Sequence, residues 1–203
     1  MPAPPRAESR GGGPVGGALA AAWDFVLDRL CGHYALSSGV IARSLELRAT
    51  DVVLDVGGGT GGVSARLRDL VRTVVVVEPS EPLTRRGHDR HPDIRFAVGD
   101  GRRLPVRDAS ADRVLLIEVL HHVDDADTVL EEALRVLRPG GTILVEESEF
   151  DGPLGRLRLW LERAFLEGVW PRSRAELLGR LDARGLRGEV LEHEGFVIVA
   201  RGS

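Results

Sequence analysis

Hydrophobic positions along the chain change period repeatedly, and the changes mark out alternating strands and helices. Val52 to Val56 is an apolar run rich in β-branched residues, which predicts a buried strand. Val63, Leu67, Leu70 and Val71 then fall at helical spacing, with a run of glycines between the two patterns. Thr73 to Val77 predicts a second, fully buried parallel strand ending at Glu78. A helix over Thr84–Arg90 leads to a short strand, Ile94–Val98, and Asp112 precedes a fourth strand, Arg113–Ile117. Leu130, Ala133, Leu134 and Leu137 form the stripe of a helix that Asp124 caps, with Asp127 in its acidic first turn. Arg138-Pro139-Gly140-Gly141 stops that helix, and Thr142–Val145 predicts the fifth strand.

The two ends follow the same logic. Leu19, Ala22, Trp23, Val26, Leu27 and Leu30 form a helical stripe, and a second helical segment runs from Ser38 to Leu47. Toward the C-terminus, Leu154, Leu157, Trp160, Leu161, Ala164 and Phe165 suit a helix that roofs a pocket. Ser173 opens another helix, Arg174–Arg184, which Gly185 ends. Val190–Glu192 and Phe196–Ala200 read as a closing hairpin. Residues 1–17, rich in Pro, Gly and Ala, read as a disordered tail. Residues 18–203 then make one domain, in which 18–48 supply helices placed to cap the site.

The glycine corner carries the chemistry. A turn without Cβ atoms between a strand and a helix lets the backbone approach a nucleotide cofactor closely. Gly57, Gly59 and Gly62 satisfy the dinucleotide pattern G-x-G-x-x-G, while Asp55, Gly57, Gly59 and Gly61 satisfy an acidic-x-G-x-G-x-G pattern. Asp55 favours the second, because a carboxylate at the strand end suits an ammonium and a sulfonium and repels a pyrophosphate. Glu78, at the end of the second strand, suits both ribose hydroxyls. Asp100, after the third, is placed to accept from an adenine amino group.

Composition removes several alternatives. The 203 residues carry a net charge of −4, which gives no basic footprint for nucleic acid. Lys, Asn and Gln are all absent, so Schiff-base lysine chemistry is excluded. The single cysteine, Cys31, rules out an internal disulfide and a multi-thiolate metal site. No apolar stretch reaches the ~18 residues of a membrane span, so the expectation is a cytoplasmic protein with no membrane partner.

In their order and spacing, several segments resemble the class I S-adenosylmethionine-dependent methyltransferases, in the small-molecule branch that includes the ubiquinone/menaquinone methyltransferases. The segments are Leu54 to Gly61, Glu78-Pro79-Ser80, Gly99-Asp100 with Leu104-Pro105, Asp112, Leu120-His121-His122 and Arg135 to Gly141. The resemblance covers residues 50–150. It implies an α/β fold, a Rossmann-like open sheet of seven strands in the order 3-2-1-4-5-7-6, with strand 7 antiparallel and helices on both faces. It also implies S-adenosyl-L-methionine as cofactor and a small organic acceptor methylated at oxygen or carbon; with no Asn, the chain lacks the Asp-Asn cluster of the metal-dependent catechol enzymes, and no metal is expected. Cofactor contacts are then expected from Asp55, Gly57, Gly58, Gly59, Thr60, Gly61, Glu78, Pro79, Asp100, Gly101 and Glu118. That family often has Cys or Ala where Gly58 stands, and Met where Leu83 stands.

Two features remain open on sequence alone. His121 and His122 follow the fourth strand, and an imidazole there suits a general base. His121, nearer the strand end, is the candidate catalytic residue. His122 joins Trp23, Tyr34 and Trp160 as candidate acceptor contacts. The acidic run Glu146 to Asp151 is expected to put at most one carboxylate toward the pocket and the rest into solvent. Two other functions share these motifs: a nicotinamide-dependent oxidoreductase, and a cofactor-binding scaffold or ring-forming catalyst without methyl transfer.

Overall fold

The computed structural model describes residues 38–150, 152–165, 168–193 and 195–202. The expected tail, the first helix, Trp23, Cys31 and Tyr34 lie outside the described residues. The described residues open with a short helix, α1 (Ser38–Ser44), and then build one seven-stranded sheet. Its strands are β1 (Val52–Val56), β2 (Thr73–Glu78), β3 (Arg95–Val98), β4 (Ala111–Ile117), β5 (Leu137–Glu147), β6 (Leu186–His193) and β7 (Gly195–Gly202). They lie in the order β3-β2-β1-β4-β5-β7-β6, all parallel except β7, which runs antiparallel to both β5 and β6. Four longer helices connect them: α2 (Glu81–Arg90), α3 (Ala126–Val136), α4 (Gly152–Phe165) and α5 (Arg174–Asp182).

Alternation along the strands splits the buried side chains between two faces. Leu54, Val56, Val114, Leu116, Ile143 and Val145 join the stripe of α3 and Leu177 and Leu181 of α5 in one cluster. Val53, Val74, Val76, Leu115 and Leu144 join Ile41, Leu45 and Leu67 in the other. With both faces covered, the central strands read as continuous apolar runs. The topology therefore brings the C-terminal ends of β1, β2, β3 and β4 to a single edge, where ligands of such sheets bind.

Three local expectations are corrected. After the glycines the chain forms two 3₁₀ turns, Ser64–Arg66 and Arg68–Leu70, and no α-helix. The cap of α3 is Asp125, whose side chain accepts from the Thr128 amide, and Asp124 stands one residue outside. Strand β5 starts at Leu137, because Ala111 pairs with Leu137 before a register shift re-aligns Arg113 with Thr142. Arg138 to Gly141 thus ends the helix and also lies within the strand, with Gly140 left-handed at φ 75°.

Candidate cofactor site and its charged roof

The glycine corner is left-handed three times, at Gly57 (φ 72°), Gly59 (φ 55°) and Gly61 (φ 75°). A Cβ on Gly57 would stand 2.6 Å from Val119, and one on Gly61 2.7 Å from Phe96. At Gly59 a Cβ would meet nothing within 4 Å, so the outer side of the turn is open to a ligand. Glu78 braces this turn from the end of β2. Its carboxylate accepts from the Gly59 amide at 3.1 Å and the Ser80 amide at 3.0 Å. Burial pushes its carboxyl above the usual range, against the pull of those two amides. A carboxylate has about four lone-pair sites, so two remain for a diol.

Asp55 lies under the turn, only 2% exposed, and accepts from the Ser64 hydroxyl at 2.6 Å. Its Oδ2 occupies the space beneath Gly58, where a Cβ would approach to 2.5 Å. Burial pushes the carboxyl up to about 6; the Ser64 bond opposes this, and the Glu78 charge adds to it. Asp100 is exposed and gripped by Arg102, which donates its backbone amide at 2.8 Å and its Nε and Nη2 at 3.1 and 2.7 Å. Those bonds hold the Asp100 carboxyl below its ordinary value. Gly101 sits over Val56 and Val129, while Thr60 is half-buried and Pro79 is exposed.

Beyond β4 the chain turns sharply. Glu118 is left-handed at φ 56°, a sterically costly conformation for a residue with a Cβ. Its amide donates to Glu146 at 2.8 Å, and its carboxylate accepts from Ser148 Oγ at 2.6 Å and from Arg158 of α4. His121 is 0% exposed. Its Nδ1 pairs with Glu147 at 2.5 Å, and its Nε2 stands 3.9 Å from both Glu118 and Glu162. Burial alone would push this imidazole down, but the Glu147 charge and hydrogen bond, with Glu118 and Glu162 behind them, hold it above its ordinary value. Glu147 also accepts from the amides of Val119 and Leu120. The imidazole of His122 lies 4.0 Å from that of His121 and keeps an exposed edge. Burial of its ring, with the positive charges of His121 and Arg158, pushes it down, so His122 is neutral at pH 7.

Several expectations change here. His121 is the sealed member of the pair and His122 the accessible one, the reverse of the order their distance from the strand implied. Glu146, Glu147 and Ser148 are buried instead of forming a solvated run, and the Glu147 carboxylate receives the amides of Val119 and Leu120 and the imidazole of His121. Trp160 is 65% exposed and faces away from the sheet, whereas Arg158 and Glu162 are the α4 side chains directed at it. Sequence reading missed Arg158, Glu162 and Arg172. The first two were signalled by their i, i+4 spacing; Arg172, which donates to the carbonyls of Leu120, Trp170, Val123 and Asp124, had no local signal.

An open sheet of this order, with acids at the ends of β1 and β2 around a left-handed glycine turn, has the class I methyltransferase architecture. Residues 54–145, a little under half of the chain, match the family described as "Methyltransferase domain". The chain is 41% identical over 104 residues to a demethylmenaquinone methyltransferase of Beutenbergia cavernae, covering 51% of this chain and 43% of that one. It is 31% identical over 139 residues to a ubiquinone/menaquinone biosynthesis C-methyltransferase UbiE of Caulobacter vibrioides, covering 62% and 55%. Thus the chain spans about half the length of these curated relatives. The solved putative methyltransferase in complex with the Trm112 activator of Haloferax volcanii shares the fold, with a TM-score of 0.78 at 19% identity over 93% of this chain and 97% of that one. Among the described residues no helix is long and apolar enough to cross a membrane.

Proposed function

We propose that the protein is a cytoplasmic enzyme that transfers a methyl group from S-adenosylmethionine to an oxygen or carbon of a small organic acceptor. The observation that carries this reading is the open side of Gly59, whose amide is held by Glu78 beside a carboxylate-lined strand edge. That arrangement fits an adenosine diol and a cationic amino-acid end. The left-handed backbone of Gly57 to Gly61, with Thr60, would line one side of the cofactor. Glu78 and Pro79 would hold the ribose, and Asp100 and Gly101 the adenine. Asp55 would supply negative charge from beneath the turn. When bound, S-adenosylmethionine supplies an activated methyl group on a sulfonium.

The chain's own contribution is alignment and exclusion of water. Glu118 ends β4 beside the site, with its carboxylate fixed by Ser148 and Arg158 so that its backbone is rigid. His121 has its Nδ1 engaged by Glu147 and its Nε2 facing two more carboxylates, so it serves as a charge clamp under the β4 turn. His122 is the histidine with access to an acceptor. The names of the two relatives support a quinone-like ring as acceptor, methylated at carbon.

Calorimetric titration of the purified chain with S-adenosylmethionine, S-adenosylhomocysteine and NADH tests the reading. The first two should bind and the third should not, and turnover should release S-adenosylhomocysteine. Binding of NADH without S-adenosylmethionine would sink it.

A further inference from the structure

Helix α4 is turned inside out relative to an ordinary surface helix. Its charged residues Arg158 and Glu162 face the protein, Arg158 bonding to Glu118, Ser148 and Glu162, and Glu162 being 2% exposed. On the solvent side stand Leu157, 53% exposed, and Trp160, 65% exposed. Arg156 and Arg163, two turns apart, are exposed as well. Glu162 is the only acid of the helix, so no carboxylate of α4 faces outward. A usual surface helix buries such an apolar stripe and exposes its charges. Here the outward stripe is apolar, bracketed by guanidinium groups, and available to a layer that is apolar within and anionic at its surface.

We propose that α4 docks the protein on an anionic lipid surface. Leu157 and Trp160 enter the boundary between headgroups and acyl chains, where an indole is well suited, and Arg156 and Arg163 pair with lipid phosphates. A second copy of the chain fits this face less well, since a two-fold contact would set the arginines of one copy against those of the other. The inner side of α4 borders Glu118 at the ligand-binding edge of the sheet. Under the function proposed above, on which this use of the surface rests, a lipophilic acceptor would therefore leave the bilayer beside the site. The contact is peripheral and needs no membrane span, and it replaces the expectation of no membrane partner. The chain's net charge of −4 opposes approach to anionic lipid, so binding depends on this local face and weakens with salt.

The test is co-sedimentation of the full chain with vesicles of phosphatidylcholine alone and with vesicles containing about a third phosphatidylglycerol. The protein should pellet with the anionic vesicles, less so at high salt. Partition should fall about tenfold or more in L157S/W160S and in R156E/R163E. Absence of binding to both vesicle types overturns the proposal. So does binding that neither double variant changes, or a dimer in sedimentation velocity that L157S/W160S abolishes. S-adenosylmethionine calorimetry on the same preparations separates the two readings. Cofactor binding without vesicle binding removes the docking surface alone, and vesicle binding without cofactor binding removes the methyltransferase reading alone.

Discussion

Asp55 makes the glycine corner sensitive to pH. Raising its carboxyl from 3.8 to about 6 means that keeping it ionised in the fold at pH 7 costs about 3 kcal/mol, at ~1.4 kcal/mol per unit. The folded value lies above the unfolded one, so the fold is favoured most below pH ~4 by this group and loses that margin as pH rises through about 6. Asp55→Asn should raise the melting temperature at pH 7 and flatten its decline between pH 5 and 7, while weakening the cofactor. Calorimetry in two buffers of different ionisation enthalpy should detect a proton released near pH 6 when the cationic cofactor binds. Glu78→Ala removes the brace of Gly59 and the ribose acceptor together, and S-adenosylmethionine affinity should fall about tenfold or more. His121 works in the other sense from a catalytic base. Its folded pKa is raised above 6.5, so its contribution to stability is complete below pH 6.5 and is lost as pH rises through the folded value. Denaturant unfolding should show His121→Gln destabilised by about 3–5 kcal/mol near pH 6 and by less near pH 9. Turnover per folded molecule should stay near normal. A loss of ~10²-fold together with the acidic limb of the profile would instead put His121 in the chemistry.

At the scale of elements, the turn after β4 is the part most dependent on long-range contacts. Arg172 spans four carbonyls from one guanidinium, so Arg172→Ala should cost about 2–4 kcal/mol, with Arg172→Lys recovering little because an ammonium lacks the planar fork. A melting-temperature comparison of the two variants checks this. The strands β1, β2 and β4 were legible because burial on both faces writes continuous apolar runs, and the glycine corner was legible because its φ values exclude other residues. The segment after the corner was not, although Leu67 and Val71 did take buried positions. Leu70, of the same apolar stripe, is left exposed by the two 3₁₀ turns that replace the helix. The burial of Glu147 was likewise unreadable, because its partners are the amides of Val119 and Leu120 and the ring of His121, which only the sheet order brings alongside.

Across the whole molecule the two apolar clusters cover both faces of the sheet, yet no described residue of α4 belongs to either. That helix is fastened by Arg158, Glu162 and their carboxylate and hydroxyl partners, between left-handed glycines at Gly152 (φ 79°) and Gly168 (φ 76°). Fastening by a few ions gives α4 its own opening equilibrium, separate from that of the sheet. Its amides should therefore exchange with deuterium orders of magnitude sooner than those of β1 and β4, and 1 M salt should speed them further while leaving the strands unchanged. A trypsin-like protease should follow the same path, nicking after Arg156 or Arg163 while the seven strands stay paired.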